Sequence, residues 1–322
     1  PGGALDVANV TVTEASTYGL WVRAGSPTVD ALTASANSSA GVVVADTASL
    51  TLTNSVVRSN GSYGVYFQPT SSRTLAIDNC SIHANGTYGV YPAASAAGTV
   101  TITDSIVTSH TYGVYRGDSS SVSTSYSDVW NNSSGNFIST AAGAGVISSN
   151  PLYVSSVDLR LTSNSPARFG AADGADMGAL PYIADATPGL HGTIWTDRTL
   201  TVAGSPYTVG GDLVVAPGVT LTVDPGVTLT FSSNTDIMGA GSDTSRGELT
   251  VLGTLDADGD SASPILLRSS STSSGTWYGV DLATSATGST LDHVTVQDAR
   301  YAITYRATGA GNVITHTTLT EA

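Results

Sequence analysis

The stretch NGSYGVYF, Asn60–Phe67, returns almost unchanged as NGTYGVYP at Asn85–Pro92 and again as SHTYGVYR at Ser109–Arg116. Aligned on its glycine, the phrase extends outward along the chain. TYGLWV carries Gly19, SAGVVV Gly41, SYGVYF Gly64, TYGVYP Gly89 and TYGVYR Gly113, in steps of 22, 23, 25 and 24 residues. WYGVDL with Gly279 and RYAITY with Ala302 repeat the pattern 23 residues apart. A drifting period in the low twenties marks a solenoid built from stacked units, not one globular core.

Each repeat also carries an upstream phrase. LDVANVTV at 5–12 aligns with LTLTNSVV at 50–57, LAIDNCSI at 75–82 and VTITDSIV at 100–107. Apolar residues alternate first, which predicts a strand with one buried face. A polar residue follows at a fixed place, Asn9, Asn54, Asn79 or Asp104, as a tight αL corner requires. No segment has a sustained helical period, and the Leu-x-x-Leu-x-Leu framework of leucine-rich repeats is missing. The expected fold is therefore all-β, a solenoid of short parallel strands with coils of about 22–25 residues spaced about 4.8 Å apart. Ten or so coils would make a rod on the order of 50 Å long.

Composition agrees with a folded, strand-rich chain. Charged residues make up 11% and apolar residues 40% of the 322 residues. Disorder usually pairs high charge with low apolarity, the opposite balance. The net charge is −14, and the basic residues are arginines without a lysine. A nucleic-acid binder needs a basic face that this chain cannot supply, so nucleic acid is not expected as a partner. The acidic surface either simply solvates the fold or recruits Ca²⁺; no motif requires a cofactor. Cys80 is alone, so no internal disulfide forms, and it reads as a small buried hydrophobe. No apolar run is long enough to span a bilayer.

Taken together, these phrases resemble the right-handed parallel β-helix family of secreted bacterial proteins, whose members include pectate-lyase-like enzymes, phage tailspikes, adhesins and surface proteins. The repeat fades between about 130 and 190. There NPLYV at 150–154, LRLTSNSPA at 159–167 and ADMGALPY at 175–182 resemble the closing segment that follows bacterial β-helices. Arg168 and Phe169 stand where the family pattern has Ile-Asp. After the link ADATPG at 184–189, APGVTLTV and DPGVTLTF repeat like the opening coils of secreted β-helix proteins. The expected organisation is a first β-helix unit at 1–149, a closing segment and linker at 150–190, and a second unit at 191–322. Neither end reads as capped. The chain is accordingly expected to be a fragment of a longer tandem surface protein, or a filament subunit whose open coil ends stack on copies of itself or on neighbouring units.

Chemistry is harder to locate. The Asp-Asp and Gly-His-Gly motifs of β-helical polygalacturonases are absent, and no strand sets paired acids beside an arginine. Glycoside hydrolysis needs two carboxylates roughly 5–10 Å apart, which distant coils could still supply. Asp256, Asp258 and Asp260 in DADGDS alternate like the first half of a Ca²⁺ loop, but Gly259 and Leu267 miss the EF-hand places for Gly and Glu. A turn between strands is the competing reading. Asp173 and Asp176 in DGADMG form a second such pair. The five histidines do not cluster along the chain, and no His-x-x-x-His or Cys-x-x-Cys spacing occurs, so zinc is not expected. His293 and His316 fall at the corner position of Asn54, while His110 and His191 lie in loop-like sequence.

The tyrosines form two sets, Tyr63, Tyr88, Tyr112 and Tyr66, Tyr91, Tyr115. Strict alternation puts Tyr63 with Val65 on one face and Gly64 with Tyr66 on the other, so one set packs inward and the other faces out. An outward ladder either stacks coil on coil or binds sugar rings. The resulting expectation is an extracellular or cell-surface protein, structural or adhesive. A polysaccharide lyase or glycoside hydrolase acting on an acidic glycan is the alternative.

Overall fold

In the computed structural model, which describes residues 5–93, 98–117 and 119–321, the chain is built of short parallel strands. Among the described residues the single helical element is the 3-10 turn Val202–Gly204. No helix there is long and apolar enough to cross a membrane. The chain divides into two compact units, residues 1–161 with 166–183, and residues 162–165 with 184–322.

Unit 1 is a three-sided parallel β-solenoid. Its first sheet stacks Asp6–Ala8, Thr28–Asp30, Leu50–Thr53, Thr74–Asp78, Thr99–Thr103 and Ser121–Ser125 in chain order. The second sheet runs from Thr11–Thr13 to Asp128–Trp130, and the third from Tyr18–Val22 to Gly135–Ile138, with one strand per coil. Register follows the repeat. Leu52, Ile77 and Ile102 stack in one column, Val57, Ile82, Val107 and Val129 in another, and Val42, Val65, Val90 and Val114 in a third. These side chains form one buried cluster. Fully burying one such residue contributes about 1.5–3 kcal/mol. A typical hydrogen bond nets about 1 kcal/mol, so the apolar columns are the main source of stability and the polar groups set the register.

Two of the three corners in each coil are made by a residue in the αL conformation. Asn9, Ala31, Asn54, Asn79, Asp104 and Tyr126 all have φ between 46° and 55° at the first corner. Ala36, Ser59, Ala84, Ser109 and Asn131 have φ between 51° and 66° at the second. The fixed polar residue of the upstream phrase is thus an αL corner, where Asn and Asp are tolerated because their side chains bond locally.

The irregular segment after residue 139 folds back over the second sheet of unit 1. Ile106, Leu161, Ala167 and Met177 form a small satellite core, with Ile147, Tyr153 and Tyr182 against it. The backbone N–H of Ala172 donates to Asp104 Oδ1 at 2.7 Å, and that of Ala179 to Ser81 Oγ at 3.0 Å. Arg168 lies over the Tyr182 ring at 3.8 Å and the Phe169 ring at 4.8 Å.

Unit 2 has two sheets. The strand Tyr207–Val215 bends partway. Its first part pairs with Thr228–Phe231, while its end pairs with Glu248–Val251, joining two arms into one nine-stranded sheet. The other sheet stacks Arg198–Leu200, Thr220–Val223, Thr254–Asp258, Thr290–Asp292 and Val313–Thr315. The repeated Pro-Gly pairs make turns in which Gly218 and Gly226 take φ of 76° and 81°. Phe231 stacks on Trp277 at 4.2 Å in the core, and Trp277 Nε1–H donates to the Gln297 carbonyl at 2.8 Å.

Candidate functional site

The Tyr-Gly-Val-Tyr phrase places six phenols in one patch on the third sheet of unit 1. Tyr63 is in register with Tyr88, Tyr88 with Tyr112, and Tyr66 with Tyr91. Both tyrosine sets face outward, which corrects the expectation that one packs with the valines. The cause is a break in alternation at the glycine. A Cβ on Gly64 would point inward, 2.7 Å from Ile82 Cγ2 and 2.8 Å from Asn85 Nδ2. Gly64 and Val65 therefore both face the interior, and Tyr63 lands on the same side as Tyr66.

The rings are spent on one another. Tyr63 and Tyr66 stack at 4.5 Å, Tyr88 and Tyr91 at 4.3 Å, Tyr63 and Tyr88 at 5.4 Å, and Tyr66 and Tyr91 at 5.6 Å, all within 13° of parallel. Tyr115 closes the stack edge-on against Tyr88, Tyr91 and Tyr112. Burial raises the phenol pKa of Tyr66 and of Tyr88, with neighbouring phenols adding to it. In the coil before Tyr63, Ala40 and Val43 are fully buried against Tyr18, Tyr63 and Tyr66. A sugar ring stacks on an open aromatic face. Here the faces of Tyr63, Tyr66, Tyr88 and Tyr91 lie against neighbouring rings.

Beneath the patch runs a polar ladder that sequence reading missed. The second corners from Ala36 to Asn131 are each followed by an inward polar residue: Asn37, Asn60, Asn85, His110 and Asn132. Asn60 Oδ1 accepts from Asn37 Nδ2, and Asn85 Oδ1 from Asn60 Nδ2, both at 2.8 Å. Asn85 Nδ2–H then donates to His110 Nε2 at 3.1 Å, and His110 Nδ1–H to Asn132 Oδ1 at 2.9 Å. Donors and acceptors alternate only if His110 is neutral with its proton on Nδ1. Burial favours that form and drives its pKa down to about 4. His110 thus belongs to the interior, not to a loop, and His191 likewise lies in the strand Leu190–Ile194. The signal was available: Asn60 and Asn85 stand three residues, and His110 two residues, before a Tyr-Gly pair.

A second ladder explains the cysteine. Ser55, Cys80, Ser105 and Ser127 each follow a first corner. Ser55 Oγ accepts from Leu32 N, Ser105 Oγ from Cys80 N and Ser127 Oγ from Ser105 N, at 3.0–3.1 Å. Cys80 takes a serine place, fully buried, and burial raises its thiol to about 12, far from a nucleophile's range. At the corners, Asn79 Nδ2 donates to Asn54 Oδ1 at 2.7 Å and Asn54 Nδ2 to Asp30 Oδ1 at 2.6 Å. Asp104 bonds the closing segment instead, and Asn9 N–H donates to the Asp30 carbonyl at 3.1 Å.

In unit 2, Asp256 and Asp258 lie on the outer side of Thr254–Asp258, alternating with the buried Leu255 and Ala257. Asp260 shapes the next turn by accepting from Ala262 N and Ser263 N. These three do not converge. Among the described residues, the side chains that bring three metal-binding atoms together are Asp292, His293 and His316. This corrects the expectation that the histidines stay apart: 23 residues is one coil, so equal corner positions touch.

Sequence reading also missed an acidic column in unit 2. Asp212 and Glu248 adjoin on paired strands, with Glu248 N–H donating to Asp212 Oδ1 at 3.0 Å. Asp281 sits on the next strand and pairs with Arg306. Burial first, then the neighbouring Asp236 and Glu248 carboxylates, push Asp212 up to about 8. Burial also raises Glu248, whose Oε2 is buried with no hydrogen-bond partner. Asp212 and Glu248 are 36 residues apart because an extra loop at 232–247 intervenes. That loop lies over the pair: Ser242 N–H donates to Glu248 Oε1, and Asp236 Oδ1 accepts from Asp212 N. Asp212, Glu248 and Asp281 are each 2–3% exposed, so a polymer has no direct access to them.

Compared with known proteins, residues 2–150 match the family described as right handed beta helix region. Neither a curated protein nor a solved structure matches the chain.

Proposed function

Residues 2–150 belong to the right-handed β-helix family, and on that premise we propose that the protein is an extracellular structural or adhesive scaffold. The observation that carries this reading is the tyrosine patch, whose ring faces are stacked on each other along successive coils. The Asn and Ser ladders support it, because their buried side chains bond from coil to coil. The Ser-, Thr- and Asn-rich, lysine-free composition suits a cell-surface or matrix setting. Further β-helix coils, from the same or another copy, are the partners this reading expects.

The acidic column with Arg306 favours a second reading, a lyase or hydrolase of acidic glycans. Burial of its carboxylates weighs against it. Both readings meet one experiment. The full chain and its Tyr88→Ala and Asp281→Asn variants are incubated with polyuronates, following chain length and retention on the glycan. The scaffold reading expects no cleavage, and a stability loss in Tyr88→Ala without any change in retention. Cleavage abolished by Asp281→Asn would establish the enzyme. Saturable retention lost in a stable Tyr88→Ala variant would make the tyrosines a glycan site.

A further inference from the structure

The second unit repeats a corner device of the first, with one change of chemistry. In unit 1, Asp30 ends a strand and accepts from the next coil, from Thr53 Oγ1 at 2.8 Å and Asn54 Nδ2 at 2.6 Å. In unit 2, Asp292 ends the strand Thr290–Asp292 and accepts from Thr315 Oγ1 at 2.8 Å, while His316 Nδ1 approaches the same oxygen at 2.7 Å. His316 takes the place of Asn54, with φ of 43° against 48°. The corner of Asp292's own coil is also a histidine, His293, with φ of 48°. The αL corners of unit 1 are built without an imidazole. Two imidazoles in successive coils are more than the turn requires.

Their geometry is convergent. The strand register pairs Asp292 with Thr315, so the two histidines sit one coil apart at the same corner. Their rings stack at 4.6 Å and 19°. His316 Nδ1 faces Asp292 Oδ1, and His293 Nδ1 lies 3.2 Å from Asp292 Oδ2. That second approach is not a hydrogen bond: His293 Nδ1 is buried and has no partner of that kind. The two nitrogens and a carboxylate oxygen lie within 4.8 Å of one another. Zinc binds imidazole nitrogen and carboxylate oxygen at about 2.0–2.2 Å, so the two rings would tilt out of their near-parallel stack to bring all three atoms onto one ion. His316 is exposed, which leaves the outer side open to water as a fourth ligand. Two nitrogens and one oxygen suit zinc, nickel or copper and do not suit calcium, which takes oxygen ligands.

We propose that Asp292, His293 and His316 form a divalent transition-metal site, with Zn²⁺ as its first occupant, that clips two successive coils of unit 2 together. Each imidazole would offer the Nδ1 lone pair in its Nε2–H form, releasing any Nδ1 proton to water. Both histidines can be replaced without losing the turn, because unit 1 builds the same corner with Asn.

The test uses the full 322-residue chain, freed of metal by a chelator and titrated with ZnCl₂ by calorimetry and thermal melting. The His293→Asn/His316→Asn variant is run beside it. The expected result is one equivalent bound, a higher melting temperature, and affinity at least about tenfold weaker in the double variant. CaCl₂ should neither bind there nor compete. Nitrogen-15 spectra of the wild-type chain should show the Nδ1 signals of two histidines moving on Zn²⁺ addition. That readout holds even if the variant misfolds. No saturable Zn²⁺ binding by the wild type, equal affinity in a folded double variant, or unmoved Nδ1 signals would each overturn the assignment.

Discussion

Replacing Asn85 by Ala should be among the most damaging single changes in unit 1. Asn85 is 1% exposed and serves four bonds. Its Oδ1 accepts from Asn60 N at 3.1 Å and Asn60 Nδ2 at 2.8 Å, and its Nδ2 donates to the Val57 carbonyl and His110 Nε2, both at 3.1 Å. After truncation, Asn60 Nδ2 keeps a bond to the Ala34 carbonyl at 3.2 Å. The Asn60 backbone N–H and His110 Nε2 lose the partner Asn85 supplied. Each buried group left unsatisfied costs about 1–3 kcal/mol, so the expected loss is about 4 kcal/mol. Against a typical total of about 5–15 kcal/mol, that is a large share.

Urea unfolding of the full chain, with hydrogen exchange to localise the effect, measures it. Protection should fall most in the coils carrying Asn60, Asn85 and His110, since a solenoid coil is held chiefly by its neighbours. His110→Asn is the matched control. An Asn there would accept from Asn85 Nδ2 and donate to Asn132 Oδ1, continuing the ladder, and should cost less than about 1.5 kcal/mol. A loss below about 1 kcal/mol for Asn85→Ala, or a larger loss for His110→Asn than for Asn85→Ala, would refute the ladder as a source of cohesion.

Three further outcomes are expected. The unfolded chain protonates His110 near pH 6.5 and the folded chain only near pH 4, so unit 1 should lose about 3 kcal/mol as pH falls through that window; His110→Asn should flatten this part of the pH–stability curve. Asp212 has the opposite sign: its raised folded pKa of about 8 makes unit 2 lose stability as pH rises from about 4 to about 8. Asp212→Asn should therefore raise the melting temperature at pH 8, with the gain vanishing near pH 4. Gly64→Ala would force a Cβ to 2.6 Å from the Gly89 carbonyl oxygen and 2.7 Å from Ile82 Cγ2; calorimetry should show a loss of about 3 kcal/mol.

How far the residues could be read in advance depends on whether a feature repeats in phase. The Val65–Val90–Val114 column and the Asn54–Asn79 corner were legible because each repeats at the coil period. The acidic column was not, because the loop at 232–247 lengthens one coil and puts Asp212 and Glu248 out of step. The His293–His316 pair was in phase, and its position was read as a turn. What went unread is that equal phase in successive coils means contact.

The chain's own pattern determined the parallel solenoid, the coil length, the αL corners and the inner apolar columns, since period and alternation are properties a strand carries locally. Only the tertiary structure decided which side chains meet. Gly64 turns inward and carries Tyr63 to the outer face beside Tyr66. The buried amides find donors and acceptors one coil away. Two corner histidines share one carboxylate. Each of these depends on a local break in alternation, or on atoms brought together across a gap between backbones of about 4.8 Å, and the order of residues within a single coil specifies neither.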